Sequence, residues 1–144
     1  MGNGPLIDKN KTLATKMGLR KNVIFAGYRN DVESFYSLAD VFVFPSLREG
    51  LSLSMMEAMA CGLPCVASNI RGNEDLLNNS SLLFSSGNVD DLVLKINDAL
   101  NSTVAEVEAM HNCANIKKYS IKYTTACLWQ LYERECNEST SIKI

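Results

Sequence analysis

A single histidine, His111, occurs in the whole sequence, which leaves no ligand set for a histidine-rich metal centre. Basic residues are not in excess: 14 Lys and Arg against 16 Asp and Glu give a net charge of −2. A nucleic-acid-binding role, which calls for a basic face, is therefore not expected. No apolar run approaches the roughly 18 residues of a membrane span, so no transmembrane segment is expected. The opening Met1-Gly2-Asn3-Gly4-Pro5 lacks a basic-then-apolar pattern, so no signal peptide is read there. Internal repeats and low-complexity linkers are missing too. The five cysteines, Cys61, Cys65, Cys113, Cys127 and Cys136, are an odd set without a secretion signal. They read as reduced thiols of the cytosol. Cys61 and Cys65 lie four apart, but Gly62 and Pro64 fall between them. Both are read as small buried hydrophobes rather than metal ligands, and no metal is expected.

What the sequence does hold suits one soluble domain. Of 144 residues, 47% are hydrophobic and 21% charged, enough apolar material for a real core. Short apolar runs recur at 22–27, 41–44, 64–68 and 81–84. They are nearly continuous rather than alternating, as strands buried on both faces of a parallel sheet are. Helical patterns separate them, at 6–18 with the stop glycine Gly18, at 31–39, at 51–61 and at 73–77. This order predicts an α/β, Rossmann-like, doubly wound parallel sheet followed by C-terminal helices. Asn88 is placed to cap a helix whose apolar stripe is Val89, Leu92, Val93, Ile96 and Leu100. A further helix is expected over 103–118 and another from the cap Ser120 to about Arg134. The domain is taken as 1–135, with 136–144 a disordered polar tail.

The segment "FPSLREGLSLSMMEAMACGLPCVAS", Phe44 to Ser68, carries the chemistry. A strand ends at Pro45-Ser46, a loop Leu47-Arg48-Glu49-Gly50 follows, and a helix starts near Leu51 or Ser52. In open parallel sheets ligands bind beyond the carboxyl ends of strands. Free N–H groups and the helix dipole there favour an anion. Gly50 removes a side chain where a phosphate would approach, and the Ser52 hydroxyl offers another donor. Glu49 stands before the helix. Glu57, with seven residues between them, lies roughly 8 Å along the axis at 1.5 Å per residue. Carboxylates accept from sugar hydroxyls. Two of them flanking an anion site suit a nucleoside diphosphate sugar, which has a hexose at one end of its diphosphate and a ribose at the other. Taken singly, Glu57 also suits a glutamate that only complements the helix dipole.

The string "PSLREGLSLSMMEAMACGLPCVASNIRGNEDLL" resembles the donor-binding segment of glycosyltransferase family 4, retaining enzymes of the two-domain GT-B fold. Their Glu-x7-Glu motif is matched by Glu49 and Glu57. "VIFAGYRNDVESFYSLADVFVFPS" is similar to the preceding strand–helix–strand, and "GNGPL" to the turn before that. The resemblance covers about residues 1–135 and is nearest to bacterial capsular or exopolysaccharide enzymes. It implies an incomplete GT-B C-terminal domain that binds a UDP-, GDP- or ADP-sugar, with no cofactor and no metal. In that scheme Glu49, the catalytic assignment, contacts the transferred sugar. Backbone N–H groups of Gly50, Leu51 and Ser52 hold the diphosphate, and Glu57 accepts from the ribose. The loop Tyr28-Arg29-Asn30-Asp31 borders the nucleobase. A glycan or lipid-linked acceptor would bind a missing N-terminal domain, so this chain alone is expected to be inactive. The full-length enzyme is expected in the cytoplasm, peripheral at the inner membrane face.

Two departures stand out. The family often carries Glu-Gly-Phe-Gly-Leu where this chain has Glu49-Gly50-Leu51-Ser52-Leu53. The family's Arg and Lys for the diphosphate belong to a strand upstream of Gly2, and Arg48 and Arg71 do not match their positions. Both read as solvated surface arginines. The alternative reading is a non-catalytic module, derived from such a domain, that binds a nucleotide or a protein.

Overall fold

The computed structural model describes the backbone of residues 4–140 and the side chains of residues 4–133. The chain divides into two compact units, Met1–Phe35 and Tyr36–Ile144, where the sequence suggests one domain over 1–135.

The first unit holds α1, Ile7–Lys16. Met17 closes it and Gly18, at φ +72°, turns the chain out in the left-handed region that glycine tolerates. Residues 22–27 are not a strand. No ladder partner exists for them among the described residues, and Ile24 is 87% exposed. Apolar composition makes a strand only where a neighbour supplies hydrogen bonds. The helix α2, Val32–Leu38, starts in this unit and contributes Tyr36 to the next.

The second unit is built on three parallel strands, β1 (Phe42–Phe44), β2 (Cys65–Ser68) and β3 (Leu83–Phe84), in the order β1-β2-β3. Phe42 is level with Cys65 and Phe44 with Ala67; Ala67 and Ser68 are level with Leu83 and Phe84. β2 is buried at every residue, the environment that its unbroken apolar run anticipates. Helices link and cover the strands: α3 (Leu53–Ala60), α4 (Arg71–Leu77), α5 (Val89–Ala99), α6 (Ser102–Ile116), then a 3₁₀ turn at Lys117–Tyr119 and α7 (Ile121–Thr140). The parallel α/β class read from the sequence is the one observed.

Burial follows helical spacing. α3 buries Met55, Ala58 and Met59, an i, i+3, i+4 face, and packs against α6 and the sheet. Each buried methionine contributes about 1.5–3 kcal/mol of apolar transfer. Val66, Leu82, Phe84 and Ala99 form a core joined by Leu92 and Ile96. The expected α5 stripe is thus narrowed. Leu92, Ile96 and Ala99 face the sheet, while Val89, Val93 and Leu100 are exposed, because a residue one position on is rotated about 100° away. Asn88 caps α5, accepting from Asp91 N–H at 3.1 Å.

Cys65 is buried as expected and Cys61 is exposed, because Cys61 lies just past the end of α3 while Cys65 opens the covered strand β2. Ser120 caps α7 through Tyr123 N–H at 3.3 Å. α7 continues to Thr140, beyond the expected end near Arg134. Residues 136–140 of the presumed tail are therefore helical, and 141–144 lie outside the described residues. Trp129 (65%) and Tyr132 (67%) are largely exposed on α7. No helix among the described residues is long and apolar enough to cross a membrane.

Candidate functional site

The loop after β1 and the start of α3 carry the Glu-x7-Glu pair. Ser52, at the N-cap of α3, has extended backbone, and its Oγ accepts from Met55 N–H at 3.4 Å. Ser54 Oγ lies 3.0 Å from the same hydroxyl, which is buried. The Ser52 side chain, read as a donor to phosphate, is therefore engaged in starting the helix. Its backbone N–H remains. The N–H groups of Gly50, Leu51 and Ser52 have no hydrogen-bond partner among the described residues. Three successive free donors run into a helix N-terminus, where the dipole adds about half a positive charge.

Gly50 itself is open. A Cβ there would meet nothing within 4 Å, and its φ is not positive. Neither packing nor backbone strain requires a glycine there.

Glu49 is exposed, with Oε1 accepting from the Ser46 hydroxyl at 3.3 Å. Glu57 is half-buried, and its Oε2 accepts from the Tyr36 hydroxyl at 3.1 Å. Tyr36 is held by an edge-on contact with Phe42, ring centroids 6.0 Å apart. Burial, together with the adjacent Glu57, pushes the Tyr36 hydroxyl up to about 12. The phenol stays protonated and keeps donating. Each glutamate thus has one oxygen tied by a hydroxyl and one left over.

The loop itself is backed by α4. A Cβ on Gly72 would stand 2.7 Å from the Glu49 carbonyl oxygen and closer still to that of Gly50. The Ser68 hydroxyl donates to the Ser46 carbonyl oxygen. Asn73 Nδ2 donates to the Ser68 carbonyl at 2.9 Å and to Ser68 Oγ at 3.2 Å.

Glu49, Gly50, Leu51 and Ser52 thus lie on the loop that enters α3, and Glu57 lies within α3, just over one turn past its N-cap. Tyr28 and Arg29 belong to the first unit. There Arg29 pairs with Asp31 at 2.6 Å, lies over the Phe35 ring at 5.4 Å, and lines a shallow cleft of about 430 Å³ with Tyr28, Asn30 and Asp31. The Arg29 hydrogen bond holds the Asp31 carboxyl below its usual range. Arg71 is on the surface, 4.0 Å from Asp75, and Arg48 is exposed.

Sequence reasoning missed Ser46, Tyr36, Ser68, Gly72 and Asn73. Gly72 left no signal, because the helix expected at 73–77 begins in the structure at Arg71 and takes the glycine into its first turn. The others are joined across 3 to 22 residues of chain, and no local pattern records such pairs.

A family model described as glycosyl transferases group 1 matches residues 1–122. An Escherichia coli relative, UDP-Gal:alpha-D-GlcNAc-diphosphoundecaprenol alpha-1,3-galactosyltransferase, is 35% identical over 118 residues, 80% of this chain and 30% of that protein. The chain spans less than a third of the length of the first curated relatives it matches. Among solved structures, sucrose-phosphate synthase from Thermosynechococcus elongatus superposes with a TM-score of 0.79 at 23% identity, over 95% of this chain and 37% of that one. The HepE protein of Anabaena, solved in complex with UDP, gives a TM-score of 0.77 at 22% identity, over 88% and 36%. The last two likenesses speak for the fold alone. The chain belongs to the glycosyl transferases group 1 family, and its fold is that of a GT-B C-terminal domain.

Proposed function

We propose that this chain is the donor-binding part of a retaining family 4 hexosyltransferase, which moves a sugar from a nucleoside diphosphate sugar to a glycan or lipid-linked acceptor. The observation that carries the reading is the Gly50 tip. Three free N–H groups meet a helix start there, nothing crowds the glycine, and Glu49 precedes it in the chain while Glu57 follows. A diphosphate accepts from the N–H groups and is favoured by the dipole, with no metal assigned to it. Glu49 accepts from hydroxyls of the transferred sugar and Glu57 from the ribose. The Escherichia coli relative is named for a UDP-linked donor and a lipid diphosphate acceptor, which supports the same classes here. An acceptor of that kind would put the full-length protein at the cytoplasmic face of the membrane, bound peripherally.

The test is calorimetric titration of the chain with UDP, GDP and ADP, beside a Gly50→Ala variant. The reading expects one nucleotide to bind and Gly50→Ala to weaken it by about tenfold or more with no loss of melting temperature. No binding by any of the three, or an unaffected variant, would overturn it.

A further inference from the structure

We propose that Gly72, with Ser68 and Asn73, is a positioning device for the Glu49–Gly50 loop, so that α4, which carries neither glutamate, sets where the diphosphate-binding N–H groups stand. The role given to that loop rests on the function proposed above; the clamp does not.

The clamp has a steric part and a polar part. The steric part is Gly72. Its α-carbon packs so closely on the loop that an added methyl would overlap the Gly50 carbonyl oxygen and crowd that of Glu49. Both obstructing atoms are backbone, so no side chain can swing aside, and an alanine would have to displace the loop. The polar part is a chain of donors. Asn73, fully buried, donates from Nδ2 to the Ser68 carbonyl and hydroxyl oxygens, and the Ser68 hydroxyl passes a hydrogen bond to the Ser46 carbonyl. Ser46 in turn donates to Glu49. The two ends of the loop are thus fixed from one neighbouring segment, one end by contact and the other by hydrogen bonds.

This arrangement also accounts for a glycine that α4 does not need for its own sake. The φ of Gly72 is not in the left-handed region, so the backbone accepts alanine and only the loop forbids it.

The test uses an accident of sequence: Arg48 lies inside the loop, and trypsin cuts after arginine. Cleavage after Arg48 and after Lys95 is followed by mass spectrometry in the wild-type chain, Gly72→Ala and Ser68→Ala. Proteolysis of a folded protein reports local opening. The expected result is cleavage after Arg48 about tenfold faster in both variants, with cleavage after Lys95 unchanged. Ser68→Ala adds no bulk and keeps the question answerable if Gly72→Ala does not fold. Unchanged cleavage after Arg48, or equal acceleration at both sites, would overturn the clamp. The same samples are titrated with UDP, GDP and ADP. If the wild type binds a nucleotide, both variants are expected to lose at least tenfold in affinity, and undiminished affinity would overturn the positioning role. If the wild type binds none, the function proposed above falls, while the cleavage rates still decide the clamp.

Discussion

The Tyr36 hydroxyl lies 3.1 Å from Glu57 Oε2 and 3.2 Å from the Ser54 carbonyl oxygen. One proton serves two acceptors, so Tyr36 pins the glutamate to the helix that bears it. Glu57 Oε1 has no hydrogen-bond partner among the described residues. Tyr36→Phe keeps the ring against Phe42 and removes only this link. Nucleotide affinity should fall about three- to tenfold, the value of one ordinary hydrogen bond. Calorimetric titration of the variant measures it; undiminished affinity would mean that Glu57 needs no such support.

The two glutamates should separate in their effects. Glu57→Ala is expected to cut nucleoside diphosphate affinity by about ten- to a hundredfold, since a charged acceptor is lost. Glu49→Gln should leave that affinity nearly intact, because Glu49 is assigned to the transferred sugar. Equal losses in a parallel titration would place Glu49 at the nucleotide end.

Two buried groups predict an alkaline limit on stability. Burial and Glu57 push Tyr36 up to about 12, and burial pushes the Cys65 thiol up to about 12. In the unfolded chain these groups lose protons near 10 and near 9, respectively. Across the interval the folded state holds the more protons, so stability falls as pH rises from about 9 to 12. Below pH 9 the contribution is complete. Urea midpoints taken at half-unit steps should drop less steeply for a Tyr36→Phe, Cys65→Ala double variant than for the wild type.

Glu108 should matter for folding and not for binding. Its buried carboxylate accepts from the Ser80 hydroxyl at 2.6 Å, the Ser81 hydroxyl at 2.6 Å and the Ser81 N–H at 3.0 Å. Glu108→Ala leaves those donors unpaired and should cost about 2–3 kcal/mol. Denaturant unfolding gives the value, and a loss under 0.5 kcal/mol would show that water replaces the carboxylate.

Much of this protein can be read along the chain. The helix starts at Ser52 and Asn88 follow from side chains that reach a backbone N–H three residues away. The strands β1 and β2 follow from apolar runs that end in turn residues. The spacing of Glu49 and Glu57 is itself a sequence fact, and so is the helix start expected between them, which the structure has at Leu53. All of these rest on contacts within one or two turns, where sequence and geometry stay in step. The failures have a different range. Residues 22–27 have the composition of a strand, but a strand is a relation between two segments, and no described segment pairs with it. Val93 and Leu100 read as core until the sheet selects which face of α5 it covers. Tyr36 reaches Glu57 across 21 residues, and Ser68 reaches Ser46 across 22. Gly72 is needed only because a loop some twenty residues earlier is folded against it. Sequence alone determined the spacing of the two glutamates and the helix start between them. Tertiary packing decided which of their lone pairs are already engaged, because that depends on neighbours brought together by burial rather than by the chain.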